Sequence, residues 1–301
     1  MKLRYWIHTI RIHTLLLSCS GITLSFLISQ SIKNVSFTTY VLSILTALLL
    51  QILANISNDY GDSITGVDSF KRIGPKKTIE RGYISLLEMK KAIYVFSILS
   101  FFSGFLLLYQ TLLWNNVFIF FMYFIGILLC IYSSIKYSVG TNPYGYVTGM
   151  GDLFVLIFFG ILSVEGSYFL YTQILSIDVF FLSLSIGLLN VGVLNVNNMR
   201  DLDNDYEKGK HTIPVWLGMK YAKLYHTIII LTSIFLGIYF MLMNQKIIYN
   251  WFFFIFIVIF LILHIKEIIY MKEKKMFNLE LKKLVIFTFL YGISIGIGFI
   301  L

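Results

Sequence analysis

The sequence predicts an all-α, polytopic membrane protein of nine transmembrane helices. Composition is the first observation behind this: of 301 residues, 58% are hydrophobic and only 13% charged. Soluble domains run at about 45–50% apolar and about 25% charged, so this much apolar surface has to face lipid. The second is the length of the apolar runs, since crossing the hydrocarbon core takes about 20 apolar residues as a helix. The runs are continuous rather than alternating, which excludes a β-barrel, and lipid offers no partner to unpaired backbone groups. The third is the placement of the basic residues between those runs.

Lys2, Arg4 and Arg11 precede an apolar run that begins at Leu15. No small-residue cleavage site follows it, so the run reads as a first membrane helix rather than a signal peptide. The spans are expected at 14–31, 37–58, 91–110, 115–135, 152–171, 176–198, 222–243, 249–270 and 284–301. They form one transmembrane domain over 1–301. Nine spans put the N-terminus, 59–90, 136–151, 199–221 and 271–283 on one side of the bilayer. Of the 24 Lys and Arg residues, only Lys33 and Lys246 fall on or beside the opposite set of connections. That asymmetry places the N-terminus in the cytoplasm and the C-terminus outside, with the chain in the cytoplasmic membrane. The net charge of +9 is explained the same way, so nucleic acid is not an expected partner. Cys19 and Cys130 lie inside apolar segments and form no disulfide or metal pattern. His8, His13, His226 and His264 show no metal-ligand spacing either.

Two carboxylate clusters carry the chemistry. The first is Gln51-x3-Asn55-x2-Asn58-Asp59-x2-Asp62-x5-Asp68. If the helix continues through it, Asn55, Asp59 and Asp62 share one face. The second is Asn190-x6-Asn197-Asn198-x-Arg200-Asp201-x3-Asp205, in which Asn197 or Asn198 shares a face with Asp201 and Asp205. Each cluster ends a span, a weak internal repeat, and two such helices could face each other across a cavity. Asn inside an apolar helix is costly unless it faces a protein interior. Clustered carboxylates repel one another and call for a cation, and hard oxygen ligands suit Mg²⁺, which commonly bridges to substrate phosphates. Asp59, Asp62, Asp201 and Asp205 are the candidate metal ligands, with Asn58 and Asn198 beside them. Lys71, Arg72, Lys76, Lys77, Arg81, Lys208 and Lys210 lie just beyond the clusters. Acidic groups for metal with basic groups close by make a pyrophosphate site. The outer Asp68, Asp203, Glu80 and Glu207 read equally well as loop charges.

Tyr132-x3-Lys136 places a phenol and an ammonium one turn apart at the end of the fourth span, where Lys136 reads equally well as a plain topology anchor. Gly149-Met150-Gly151-Asp152 leads into the fifth span, with Gly permitting turns and close approach.

At these motifs the sequence resembles the UbiA-type prenyltransferases, and among them the 1,4-dihydroxy-2-naphthoate polyprenyltransferases. Trp6-x4-Arg11-x2-Thr14-Leu15 resembles the family's opening segment. The run from Asn58 to Asp68 is similar to its first Asp-rich motif, continued by Arg72-Ile73-Gly74-Pro75. Gly151-Asp152-Leu153-Phe154-Val155 and Phe158-Phe159-Gly160 resemble the naphthoate subfamily's segment. The run from Asn197 to Lys210, then Thr212 and Leu217-Gly218, is similar to the second motif, and Tyr132…Lys136 to the family's Tyr-x3-Lys. Ile12, His13 and Trp216 depart from the pattern.

The resemblance implies a nine-helix UbiA-like bundle around a central cavity that opens to lipid. It implies Mg²⁺ as cofactor, with polyprenyl diphosphate and 1,4-dihydroxy-2-naphthoate as partners beside the lipid bilayer. It implies binding roles for Arg11, Asn55, Arg72, Lys76, Tyr132, Lys136, Arg200, Lys208 and Lys210. The reaction implied is prenylation of the ring with loss of CO₂ and diphosphate, giving demethylmenaquinone for menaquinone biosynthesis. A related enzyme using 4-hydroxybenzoate, homogentisate or protohaem is the nearest alternative. A transporter is the alternative from another class, since intramembrane carboxylates also mark ion paths. The clusters here lie at span ends on one side, and no pair of interrupted helices is evident.

Overall fold

A computed structural model describes residues 2–66, 77–112, 116–244 and 251–301. Asp68, Lys71, Arg72, Lys76 and Lys246 lie outside the described residues. Every regular element among the described residues is helical, and nine of the helices are long and apolar enough to cross a membrane. In chain order the α-helices, of which the first and the eighth are too short to span, are α1 (Lys2–Ile10), α2 (Ile12–Gln30), α3 (Phe37–Thr65), α4 (Leu86–Thr111), α5 (Val117–Lys136) and α6 (Met150–Thr172). Then come α7 (Ile177–Arg200), the short α8 (Leu202–Glu207), α9 (Ile213–Met243), α10 (Phe252–Tyr270) and α11 (Phe277–Ile300).

Differences from the expected spans have local causes. Helix α3 runs past 58 to Thr65, so Asn55, Asp59 and Asp62 do lie on one helix. Helix α4 starts at Leu86 rather than 91 because Ser85 and Glu88 form a reciprocal capping box. Helix α9 begins at Ile213, with Pro214 in its first turn and a non-helical break at Gly218. The amphipathic α1 was not anticipated. It is fastened by Tyr5 stacked on Tyr83 at 3.9 Å and by Thr9 hydrogen-bonded to Thr78 at 2.7 Å.

The largest apolar cluster joins α2, α6, α7, α9, α10 and α11. Two smaller ones join α3, α4 and α5 to their neighbours. Helices α2 and α6 pack against members of both groups. In α6 the middle stretch, Leu156–Gly166, is π-helical, a conformation frequent at functional sites. Its Gly160 meets Gly187 of α7 so closely that a Cβ on Gly160 would stand 2.6 Å from the Ser183 carbonyl oxygen. Close backbone contact at small residues is how membrane helices associate without a hydrophobic drive between them.

Candidate active site

A cavity of about 800 Å³ opens between the two groups of helices. Among the described residues its lining comes from α1 through α8, from the connections flanking them and from the start of α11, and none comes from α9 or α10. The C-terminal ends of α3 and α7 bring Asp59, Asp62, Asp201 and Asp205 to this one cavity, all buried. Helix C-termini carry partial negative charge, so the backbone adds to the carboxylates in favouring cations here.

Asp59, Asp62 and Asp201 are held in short ion pairs. The Arg11 guanidinium lies 2.5 Å from Asp59 and 3.4 Å from the Asn58 carbonyl oxygen. Lys77 places its ammonium 2.6 Å from Asp62 and 3.6 Å from Asp59. The second oxygen of Asp62 accepts the Tyr146 hydroxyl at 2.8 Å. Arg200 clamps Asp201 with two nitrogens, at 3.0 and 2.6 Å, and reaches Asn197 at 2.8 Å. Lys210 is buried beside the fourth carboxylate: its backbone N–H donates to the Asp205 carbonyl at 2.9 Å, and its ammonium sits 5.5 Å above the Tyr146 ring. Burial alone would lower this ammonium's pKa, but Asp205 and Asp62 outweigh burial and hold it above the ordinary lysine value. Burial, then the charge of Asp62, raises the Tyr146 hydroxyl, which keeps it a donor.

Several of these positions depend on local strain or capping. Arg11 has a left-handed backbone (φ 56°, ψ 62°) at the break between α1 and α2, a conformation rare outside Gly, Asn and Asp. Asn55 fixes that break by donating to the Ile10 carbonyl at 2.8 Å, so its role is to aim Arg11. Asn58 donates to Ser138 at 2.9 Å and ties α3 to the segment after α5. At Asp201 the helix breaks (φ −95°, ψ 9°), yet the Asp205 N–H still reaches the Asp201 carbonyl at 2.9 Å, so the short α8 keeps both carboxylates on the cavity.

Five expected residues do not line the cavity, among them Arg81, which is exposed on the turn before α4. Asn198 is buried on the other side of α7, because 190, 193, 194, 197, 200 and 201 are the cavity-facing positions, and Asn197 takes the place. Tyr132 is 61% exposed, since α5 turns 123, 126, 127, 130 and 134 inward and 132 away from them. Lys136 instead lies over the turn at Gly140. Lys208 is exposed on the turn after α8. Conversely, Tyr146, Asn190 and Asn204 belong to the site without having been singled out for it, and Lys77 and Asn197 belong to it after being named only as one of a basic run and as an alternative to Asn198. Lys77 carried a signal as a basic residue beyond the first cluster, and Asn190 and Asn197 as amides within an apolar span.

The oxygen donors fit a hard divalent cation as paired carboxylates on two helices rather than as a cage. Among the described residues no three His, Cys, Asp or Glu side chains converge as a metal-holding group. Mg²⁺ is commonly held by one or two carboxylates together with water and substrate phosphate, and this donor set matches that pattern.

The sequence profile of the UbiA prenyltransferase family matches residues 19–289. The chain belongs to this family. A 1,4-dihydroxy-2-naphthoate octaprenyltransferase of Haemophilus influenzae is 38% identical over 235 residues, covering 76% of this chain and 74% of that protein. The enzyme of the same name from Escherichia coli is 36% identical over 248 residues, covering 82% and 80%. The fold matches that of a UbiA homolog from Archaeoglobus fulgidus, solved bound to GPP and Mg²⁺. That match has a TM-score of 0.69 at 17% identity and covers 98% of this chain and 99% of that one. This UbiA family member therefore presents both Asp-rich motifs to a single cavity.

Proposed function

We propose that the chain transfers a polyprenyl group from polyprenyl diphosphate to 1,4-dihydroxy-2-naphthoate, releasing CO₂ and diphosphate and giving demethylmenaquinol, the reduced form of demethylmenaquinone. The observation that carries this reading is the convergence of four buried carboxylates with Arg11, Lys77, Arg200 and Lys210 at the mouth of an apolar cavity. The names of the two bacterial relatives supply the acceptor.

Asp59, Asp62, Asp201 and Asp205 would hold Mg²⁺. When bound, the metal supplies charge that stabilises the departing diphosphate. Lys77, Arg200 and Lys210 bind diphosphate oxygens, and Arg11 contributes from the strained α1–α2 junction. The allylic C–O bond breaks with its electron pair leaving on diphosphate, the allylic carbon bonds to the ring, and the ring carboxylate departs as CO₂. Phe154, Phe158, Phe159 and Leu162 of α6 form an apolar wall that excludes water from the allylic cation. From Asp59 to Ser43 the lining of α3 reaches roughly 24 Å, deep enough for the prenyl tail to run inward. The chain sits in the cytoplasmic membrane with its N-terminus and the cavity mouth on the cytoplasmic side, as the Lys and Arg distribution supports.

Incubation of purified protein with radiolabelled octaprenyl diphosphate, Mg²⁺ and a panel of aromatic acids tests the reading. Prenylated product forms with 1,4-dihydroxy-2-naphthoate, and carboxyl label is released as CO₂. Turnover with 4-hydroxybenzoate and none with the naphthoate would reject the acceptor.

A further inference from the structure

Below its charged mouth the cavity has two unlike walls. Helices α5 and α6 offer mostly aromatic and aliphatic side chains, whereas α2, α3 and α7 carry neutral polar groups beyond the charged residues. Ser18 lies roughly 10 Å along α2 from Arg11, Gln51 roughly 12 Å along α3 from Asp59, and Asn190 roughly 16 Å along α7 from Asp201. All three line the cavity. Asn190 is only 2% exposed and donates its amide nitrogen to the Ile186 carbonyl of its own helix at 2.9 Å, while its side-chain oxygen has no hydrogen-bond partner. The buried Ser18 hydroxyl is likewise without a partner. Gln51 turns its amide nitrogen to Asn55 at 3.3 Å.

A buried amide oxygen without a donor is costly, and in a native site such a group is normally satisfied by water or by a ligand. A prenyl tail has no donor to give. An ionised diphosphate has none either, and its charge keeps it with the cations at the mouth. The aromatic acid has hydroxyl donors. Its carboxylate is drawn to Arg11, Lys77, Arg200 and Lys210, and no Lys or Arg lines the cavity at the depth of Asn190. With the carboxylate held at the mouth, the hydroxyl across the ring points inward. Resting on the acceptor reading above, we infer that Asn190 is the specificity site for that distal hydroxyl. The side-chain oxygen of Asn190 accepts its proton, and the apolar α5–α6 wall takes the prenyl tail. The two substrates thereby occupy opposite walls of one cavity, with the ring turned by its two polar ends.

Equilibrium binding to the purified full-length protein tests this, using 1,4-dihydroxy-2-naphthoate and 1-hydroxy-2-naphthoate, which lacks the distal hydroxyl. Asn190→Leu should weaken the dihydroxy acid by about tenfold to a hundredfold, the range implied by loss of a buried hydrogen bond to a ligand. The monohydroxy acid should change by less than about threefold, on the same scale. KM for the prenyl diphosphate should hold. Asn190→Ala, too small to clash, should show the same split and so guards against a packing artefact. An equal loss for both acids, or no loss for either, overturns the assignment; the latter leaves a buried water as the only partner of Asn190. If neither acid binds the wild-type protein, the acceptor reading fails first and this inference with it.

Discussion

Gly61 of α3 lies against the backbone of Ser138 so closely that a Cβ on Gly61 would stand 2.2 Å from the Ser138 carbonyl oxygen. One turn earlier, Asn58 donates to the Ser138 hydroxyl at 2.9 Å. The first carboxylate motif is therefore docked on the segment that carries Tyr146 to Asp62. Gly61→Ala should force the two backbones apart at a cost of about 1–3 kcal/mol. The expected outcome is a lower unfolding temperature in detergent with a fall in kcat/KM. Wild-type values for both would mean the contact positions nothing.

Asp59→Ala and Asp201→Ala should each abolish prenyl transfer while leaving the protein folded, since a methyl group cannot hold a hard cation. Asp203→Ala should stay close to wild type. Asp203 has 69% of its side chain exposed, and neither it nor its partner, the partly exposed Lys274, lines the cavity. Exposed pairs of this kind contribute roughly 0–1 kcal/mol. An inactive Asp203→Ala beside an active Asp201→Ala would reverse the assignment.

Lys77→Met should raise KM for the prenyl diphosphate, or lower kcat, by about tenfold or more, as loss of a charge-assisted contact implies. KM for the aromatic acid should change less. Tyr132→Phe should leave both constants unchanged, because that hydroxyl lies on the outward face of α5. Kinetics with each substrate varied in turn separate the two cases.

The nine spans were legible because hydrophobic length and basic asymmetry are properties of whole segments. The continuity of α3 through Asp62 followed from spacing, since Asn55, Asp59 and Asp62 fall on one face only if the helix goes on. What could not be read was which way an apolar helix faces. Helix α5 is apolar almost all round, so Tyr132 and Cys130 look alike in the sequence although only Cys130 reaches the cavity. In α7 the choice between Asn197 and Asn198 turned on a rotation of one residue, which is set by the packing of α9 and α11. Helix α1 was hidden because its Lys and Arg residues read as the flank of a first span. Lys77 reads only as one of a basic run, since nothing in a run tells which member folds inward.

The orientation across the bilayer has a direct test. With Cys19 and Cys130 replaced, a single cysteine at position 33 should react with a membrane-impermeant reagent in intact cells. One at position 208, which is exposed on the turn after α8, should react only after permeabilisation. The inverse pattern would put the cavity mouth outside and contradict the basic-residue asymmetry.

Away from the cavity, His226 of α9, His264 of α10 and Glu280 of α11 form a buried chain. The two imidazoles meet at 3.1 Å, and His264 meets Glu280 at 2.7 Å. Lys283 closes the chain on Glu280 at 2.6 Å from a half-exposed position. Helices α9 and α10 send no side chain to the cavity among the described residues, so this network acts on packing rather than on substrate. Glu280→Ala would leave the His264 ring nitrogen buried without a partner, at a cost of about 1–3 kcal/mol. The unfolding temperature in detergent should fall, while kcat and both KM values, normalised to folded protein, stay at wild type. His264→Leu should cost less than Glu280→Ala if the isolated carboxylate is then neutralised by Lys283. Kinetic losses at unchanged thermal stability would show instead that the network reaches the active site, because a group that acts only through packing cannot change turnover without changing the stability of the helices it joins.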